Sequence, residues 1–192
     1  MDLKTYLQGR GLEVFPNTRY LDIYEYNDRI YSQAFFVDWE VAPNTIARTQ
    51  IRDKDGWHNL IVNTVNNQIY NLMDTYFKPI IFFTESVFDA QSIIQSIDSK
   101  YKDIATAIAF GTASVYSNQL LFAKYQFKNK KIITAMDNDK AGIEATKRII
   151  KSLDNNSKVS SLVYPYGDPN LSLVKNKNNF QVLVNQEIFK NI

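Results

Sequence analysis

Acidic residues recur in this sequence directly behind short apolar runs. Glu85 follows Ile80-Ile81-Phe82-Phe83-Thr84, Asp137 and Asp139 follow Ile132-Ile133-Thr134-Ala135-Met136, and Asp168 comes after a fourth expected strand over 159–163. Residues two apart in an extended segment point the same way, so Asp137 and Asp139 can direct two carboxylates at one hard cation. Magnesium suits such a site, because it prefers oxygen ligands and retains waters that a phosphate can replace. Metal held between carboxylates and phosphate then offsets the charge that accumulates in phosphoryl transfer. Each feature also has a plain structural explanation: Asp139 is a good helix N-cap, Asp137 a good turn former, and Asp168 before Pro169 an ordinary turn. Gly142, one turn into the following helix, allows close packing or the close approach of a ligand.

The elements that must position these carboxylates are legible from periodicity. Beyond Pro79 the rhythm is strand, helix, strand, helix, the signature of a parallel sheet with crossover helices. Strands are expected at 80–84, 106–110, 131–136 and 159–163, and helices at 86–97, 118–125 and 139–153, the last with Ala141, Ala145, Ile149 and Leu153 inward. A turn region over 165–169 and a terminal helix from about residue 178 complete this half. In an open parallel sheet, functional groups collect beyond the carboxyl ends of the strands, where all four acidic features fall.

The first part of the chain reads differently. Residues 3–8 form a short helix stopped by Gly9 and Gly11. Strand-like runs rich in β-branched and aromatic residues follow at 19–24, 30–37, 45–51 and 58–62, with turn signals at 26–28, 43–44 and 53–56. A small antiparallel sheet is expected, and the change of architecture falls near residue 78. The fold class is therefore α/β, a parallel sheet flanked by helices over 79–192, preceded by a small α+β subdomain over 1–78.

Composition narrows the chemistry. With 192 residues and 45% hydrophobic content, the chain can bury a core. No cysteine is present, which excludes a cysteine nucleophile and cysteine-ligated metals, and the lone histidine, His58, leaves no histidine-rich site. The longest apolar stretch is far too short for a membrane span, so the expectation is an intracellular soluble protein. A net charge of +2 does not by itself argue for nucleic-acid binding, though it leaves room for a local basic groove. The tyrosines and phenylalanines fall at core spacing and are not read as base-stacking platforms.

Taken together, Glu85-Ser86-Val87-Phe88-Asp89-Ala90, Ala109-Phe110-Gly111-Thr112-Ala113, Met136-Asp137-Asn138-Asp139-Lys140-Ala141-Gly142 and Gly167-Asp168-Pro169-Asn170 resemble the successive motifs of TOPRIM domains in bacterial and phage primases. The likeness covers about residues 79–175, in order and spacing as well as in letters. It implies that Glu85 is the general acid/base glutamate and that Asp137, Asp139 and Asp168 are metal-binding positions, with Glu85 beside them. It also implies that Asp89 is the acidic residue following the glutamate on the same helix, and that Gly111 and Thr112 form a turn lining the active site. Ser86 stands where a glycine is usual, and Asn170 where bacterial primases often carry a second aspartate, which bears on a second metal position. More faintly, Tyr6-Leu7-Gln8-Gly9-Arg10-Gly11-Leu12 and the β-rich stretch with Arg48 and Arg52 resemble the subdomain preceding TOPRIM in primases. The family's lysine-containing segment appears here as residues 63–68, with no basic residue.

The resemblance implies a primase-like nucleotidyltransferase that joins ribonucleotides into short RNA on single-stranded DNA with Mg2+, for which Mn2+ can substitute. Arg48, Arg52, Asp89, Gly111, Thr112 and Lys140 are the candidate contacts to nucleotide or nucleic acid, and a replicative helicase or polymerase is the candidate partner. A TOPRIM nuclease, or a catalytically degenerate module that binds nucleic acid or protein, are the alternatives. The cysteine-rich zinc module and the helicase-binding region of bacterial primases have no counterpart here. Their roles fall to partners, to a longer chain, or are dispensed with.

Overall fold

The structure, a computed structural model, describes residues 3–13, 18–26, 29–42, 45–52, 60–62, 69–71, 73–153 and 157–192. The turn signals at 27–28, 43–44 and 53–56, His58 and the segment 63–68 lie outside the described residues.

Strands β1 (Thr18–Tyr26), β2 (Arg29–Ala42), β3 (Thr45–Arg52) and β4 (Leu60–Val62) form a four-stranded sheet in sequence order. All its pairings are antiparallel. A register shift around Glu40 interrupts the β2–β3 pairing, beyond which Arg48 lies opposite Trp39 and Arg52 opposite Phe35.

The second sheet is parallel. It contains β5 (Ile80–Thr84), β6 (Ala105–Ala109), β7 (Lys131–Ala135) and β8 (Lys158–Ser161) in the order β6-β5-β7-β8. Strand β5 is central, and all five of its residues are buried, as expected of a strand covered on both faces. Its alternation sorts the core into two layers. Ile80 and Phe82 join Leu7 and Leu12 of the first described segment, together with Val87, Phe88, Leu173 and Phe180. Ile81 and Phe83 face the other way, toward Phe110, Phe127, Ala145 and Ile149. There Phe83 meets Phe110 and Phe127 edge-on at centroid separations of 5.1 and 5.3 Å.

Among the described residues six α-helices accompany the sheets: α1 (Leu3–Gly9), α2 (Val87–Ser96), α3 (Ser117–Gln126), α4 (Lys140–Leu153), α5 (Pro169–Lys175) and α6 (Lys177–Lys190). The expected turn region over 165–169 is present as a bend through Asp168, and α5, which was not expected, begins directly behind it. The Asp-Pro pair that signals a turn also starts a helix, with Asp168 as N-cap and Pro169 at the first helical position. Gly11 takes the left-handed conformation after α1 (φ +66°), whereas Gly9 is its last helical residue. On α4 the inward positions are Gly142, Ala145, Ile149 and Leu153, and Ala141 is exposed, contrary to the periodicity reading. The stripe begins one residue later because Gly142 packs against the chain it follows, with no side chain in between.

The segment before β5 is tied to the edge of the parallel sheet. Tyr70 N–H donates to the Ala109 carbonyl at 2.9 Å, and the Asn71 amide donates to the Ala107 carbonyl at 3.0 Å. Lys130 Nζ donates to the carbonyls of Thr75 (2.5 Å) and Lys78 (2.9 Å), fixing the turn that feeds the central strand.

Candidate active site

Parallel strands of nearly equal register deliver their next residues to one end of the sheet. Thr84 lies opposite both Ala109 and Ala135, so Glu85, the loop after β6 and the Met136-Asp137 step emerge side by side. Around a cavity of about 260 Å³ stand Glu85, Ser86, Phe88 and Asp89 from β5 and α2, Asp137 from the end of β7, Asp168 and Asn170 from α5, and Arg10 after α1.

Local chemistry fixes each wall. Ser86 caps α2: its Oγ accepts from Asp89 N–H at 3.3 Å, while Asp89 Oδ2 accepts from Ser86 N–H at 3.2 Å and from Ser86 Oγ at 2.5 Å. This reciprocal capping box accounts for a serine at the position where the family usually has glycine. Asp89 is nearly buried, and its Oδ1 accepts from Asn170 N–H at 3.2 Å. Asp168 caps α5 through Leu171 N–H at 2.5 Å. Asp139 accepts from Gly142 N–H at 2.8 Å, so the N-cap explanation applies to both residues. Gly142 resolves the choice between packing and ligand approach, since a Cβ there would meet the Asp137 carbonyl oxygen at 2.0 Å and the Asp137 carbonyl carbon at 2.7 Å. Its role is to let α4 press on the backbone that carries Asp137.

The turn after β6 is held from three sides. Gly111 N–H donates to the Glu85 carbonyl at 2.8 Å, and Gly111 itself has φ +78°, which a Cβ would strain. The Ala113 backbone donates to the Glu85 carboxylate. Arg148 of α4 donates at 2.7 Å to the carbonyls of both Ala113 and Ser114. Thr112 spends its hydroxyl oxygen on Ser114 N–H at 3.1 Å.

Electrostatics follow from crowding. Burial first, then the charges of Asp89, Asp139 and Asp168, push Glu85 from 4.5 up to about 7 against the pull of the Ala113 N–H. Burial, then Asp89, Glu85, Asp168 and Asp139, push Asp137 from 3.8 up to about 8. Burial and Asp168 raise Asp89 to about 6, opposed by its bonds to Ser86 and Asn170. Asp137 Oδ1 is buried with no hydrogen-bond partner. Such an orphan acceptor is costly unless something electropositive faces it. Tyr164 lies behind the site with its hydroxyl donating to the Met136 carbonyl, and burial raises its proton affinity further.

Of the residues singled out in the sequence, Glu85, Asp89, Asp137 and Asp168 meet at one cavity, and Asp139 lies close enough to act on Glu85 and Asp137. Gly111 holds the Glu85 carbonyl from outside the cavity wall, Thr112 bonds within its own turn to Ser114, and Lys140 is exposed in the first turn of α4. Arg48 and Arg52 lie in β3 of the antiparallel sheet. Arg10 and Arg148 were not foreseen as parts of the arrangement, and Asn170 was read only for its bearing on a second metal position. The Ser86-x-x-Asp89 capping signature was present, whereas nothing local marks Arg148, whose partners are 34 and 35 residues away. As the side chains stand, no three carboxylate or histidine groups among the described residues form a ready metal cage. No helix among them is long and apolar enough to cross a membrane.

Comparison with known proteins agrees with this architecture. A family model described as Toprim-like matches residues 82–173. The chain superposes on the primase fragment of the bacteriophage T7 primase-helicase protein with a TM-score of 0.65 at 18% identity, over 84% of this chain and 64% of that one. It thus spans somewhat less than two thirds of that fragment. A structure of the bacteriophage T7 lagging-strand DNA polymerase interacting with primase domains bound to an RNA/DNA hybrid and dTTP matches with the same score and identity, over 84% of this chain and 79% of that one. No curated protein matches the sequence. Residues 82–173 are thus a TOPRIM-type domain, in a chain whose fold resembles the catalytic core of phage primases.

Proposed function

We propose that this chain is a primase-like nucleotidyltransferase that joins ribonucleotides on a single-stranded DNA template with Mg2+ at the cavity of Glu85 and Asp137. The observation that carries the reading is the convergence of four carboxylates on one cavity, Glu85 and Asp137 from the ends of adjacent parallel strands, Asp89 from α2 and Asp168 from the start of α5, with the Asp137 Oδ1 acceptor buried and unpartnered. Those residues fit a magnesium ion. Magnesium usually takes one or two carboxylates and keeps several waters, so a site without a three-residue cage suits it. Asp137 and Glu85 would hold the ion, with Asp139 and Asp168 contributing charge nearby. When bound, it supplies neutralisation of the charge that develops on a transferring phosphoryl group.

The chain's own residues do the rest. Without the ion, Glu85 is pushed up to about 7 and holds a proton at its carboxyl in part of the population at neutral pH, and binding of the ion would release that proton. Asp89, with both oxygens bound to donors of α2 and α5, fixes the wall against which Glu85 is placed. The Gly111 N–H on its carbonyl and the Ala113 N–H on its carboxylate orient Glu85 from the side. Within this proposal residues 79–192 carry the chemistry, while residues 1–78, with Arg48 and Arg52, and Lys140 contact the phosphates of template or nucleotide. A replicative polymerase or helicase is the partner, by analogy with the phage primase domains that engage a polymerase.

Incorporation of labelled ribonucleotides on single-stranded DNA with Mg2+ or Mn2+ tests the reading, and Asp137→Ala with Asp139→Ala should abolish it. Cleavage of plasmid or RNA without incorporation would move the assignment to a TOPRIM nuclease. A second reading, a non-catalytic binding module, is favoured by the use of Asp139 and Asp168 oxygens as helix caps. Template binding without incorporation or cleavage would establish it.

A further inference from the structure

We propose that the amino end of the parallel sheet is a second binding face, which holds single-stranded nucleic acid by stacking of bases on Phe77 and Tyr125 and by phosphate contacts from Lys128 and Lys158. It lies at the opposite end of the strands from the acidic cavity and requires no metal.

The two ends of the sheet carry opposite charge. Glu85 and Asp137 come after β5 and β7, whereas the residues that lead into or open the strands are basic: Lys78 before β5, Lys130 and Lys131 at β7, and Lys158 at β8. Lys131 stands opposite Ile80 on one side and Lys158 on the other, so these starts lie side by side. Five residues of strand put about 16 Å between the two ends, at roughly 3.3 Å per residue. Part of the basic charge is already committed. Lys78 pairs with Asp74 at 2.9 Å, Lys131 donates to the Ile192 carbonyl at 2.9 Å, and Lys130 donates to the carbonyls of Thr75, Tyr76 and Lys78. Lys128 and Lys158 are exposed and have no acidic partner among the described residues.

The rings at this end are turned out of the core. Phe77 is 93% exposed and Tyr125 73% exposed, so the core-spacing reading of the aromatics holds at Phe83 and Phe127 and fails at these two. Both are held on fixed backbone. The three carbonyls flanking Phe77 are those bound by Lys130, and Tyr125 stands in the last turn of α3, anchored by the buried Ala123 and Phe127. One carbonyl joins the parts: that of Phe127 accepts from Lys130 N–H at 3.0 Å and from Ser157 Oγ at 2.9 Å, which brings the Phe77 turn, the exit of α3 and the start of β8 together. Solvent-facing rings beside available lysines fit a strand whose bases are unpaired, since every base offers a π-face and every phosphate a negative charge. A duplex hides its base faces, and an acidic protein segment would engage the lysines while leaving the rings unused.

Fluorescence anisotropy of a labelled oligo(dT) with the intact chain, in EDTA at low salt, tests this face with any metal bridge at the acidic cavity removed. Phe77→Ala and Tyr125→Ala should each weaken binding about fivefold or more, the loss of one stacked base, and leave its salt dependence unchanged. Lys128→Gln with Lys158→Gln should lower the slope of log affinity against log salt by about 1.4, at roughly 0.7 per phosphate contact on a single strand. All four side chains are exposed, so the variants should keep the fold, which circular dichroism checks. No binding by the unmodified chain would overturn the proposal. Variants that bind oligo(dT) as the unmodified chain does would also overturn it, and would leave a template contact through Arg48 and Arg52 standing. Competition by polyglutamate as effective as that by unlabelled oligo(dT) would overturn it in favour of an acidic protein partner.

Discussion

Replacing Asp137 by asparagine should make the metal-free protein more stable at alkaline pH. Asp137 is held at about 8 against an ordinary 3.8 by burial and then by Asp89, Glu85, Asp168 and Asp139. Each pH unit of such a gap corresponds to ~1.4 kcal/mol, giving a ceiling of ~5 kcal/mol for the cost of ionising it in the folded state. The side chain is partly exposed, and its neighbours relieve the repulsion by binding protons themselves, so ~1–2 kcal/mol is the expected penalty. The sign follows from the proton affinity being raised in the fold. The folded form binds a proton more tightly than the unfolded chain, so this contribution is fully present below the unfolded value near 4. It is lost as pH rises through about 8. Thermal unfolding in EDTA at pH 8.5 should therefore show Asp137→Asn melting roughly 3–6 °C above the unmodified protein, at ~2–4 °C per kcal/mol for this size. The difference should shrink steadily toward pH 5. A variant that is equally or less stable at pH 8.5 would refute the electrostatic reasoning, since loss of an ionised, crowded carboxylate would then relieve nothing.

Other expectations follow from the same geometry. Gly142→Ala should cost ~2–3 kcal/mol, because the methyl group meets the Asp137 backbone rather than a movable side chain, and an unchanged Tm would contradict that packing. Arg148→Met removes two 2.7 Å bonds to the carbonyls of Ala113 and Ser114. It should accelerate hydrogen exchange across residues 111–115 while lowering global stability by only ~1 kcal/mol. Phe83→Ala empties the meeting point of Phe110 and Phe127 and should lower unfolding free energy by ~3–5 kcal/mol in denaturant titration. Magnesium at about 100 times its dissociation constant should raise stability by ~2.7 kcal/mol and flatten the pH dependence between 5 and 8.5, whereas Asp137→Asn should respond to neither.

The parallel sheet was legible because its signals are local. Three apolar runs of about five residues, each followed by a carboxylate or a glycine, alternate with helical stretches, and the strands at Ile80–Thr84 and Lys131–Ala135 stand where that pattern puts them. The helix Pro169–Lys175 was not foreseen, since an Asp-Pro pair serves a turn and a helix start equally well, and only the burial of Leu173 in the core decides between them. Ala141 was placed inward by period alone. The buried first-turn position is Gly142, whose contact with the Asp137 backbone no periodicity carries, while Ala145, Ile149 and Leu153 are inward as expected. The convergence of Glu85, Asp137 and Asp168 could be anticipated from strand order. The tie of Asn170 to Arg10 spans 160 residues and depends on the way α1 docks beside α2 and α5. Long-range pairs of this kind leave no mark in local sequence.

The account turns on whether the acidic cavity holds a divalent cation. Crystals soaked in manganese and examined by anomalous diffraction address this directly. An anomalous peak within about 2–2.5 Å of an Asp137 carboxylate oxygen, the range of divalent metal–oxygen bonds, on the side facing Glu85, is the predicted result. A cavity that remains without a peak at saturating manganese, or a peak bound only elsewhere on the chain, would contradict it.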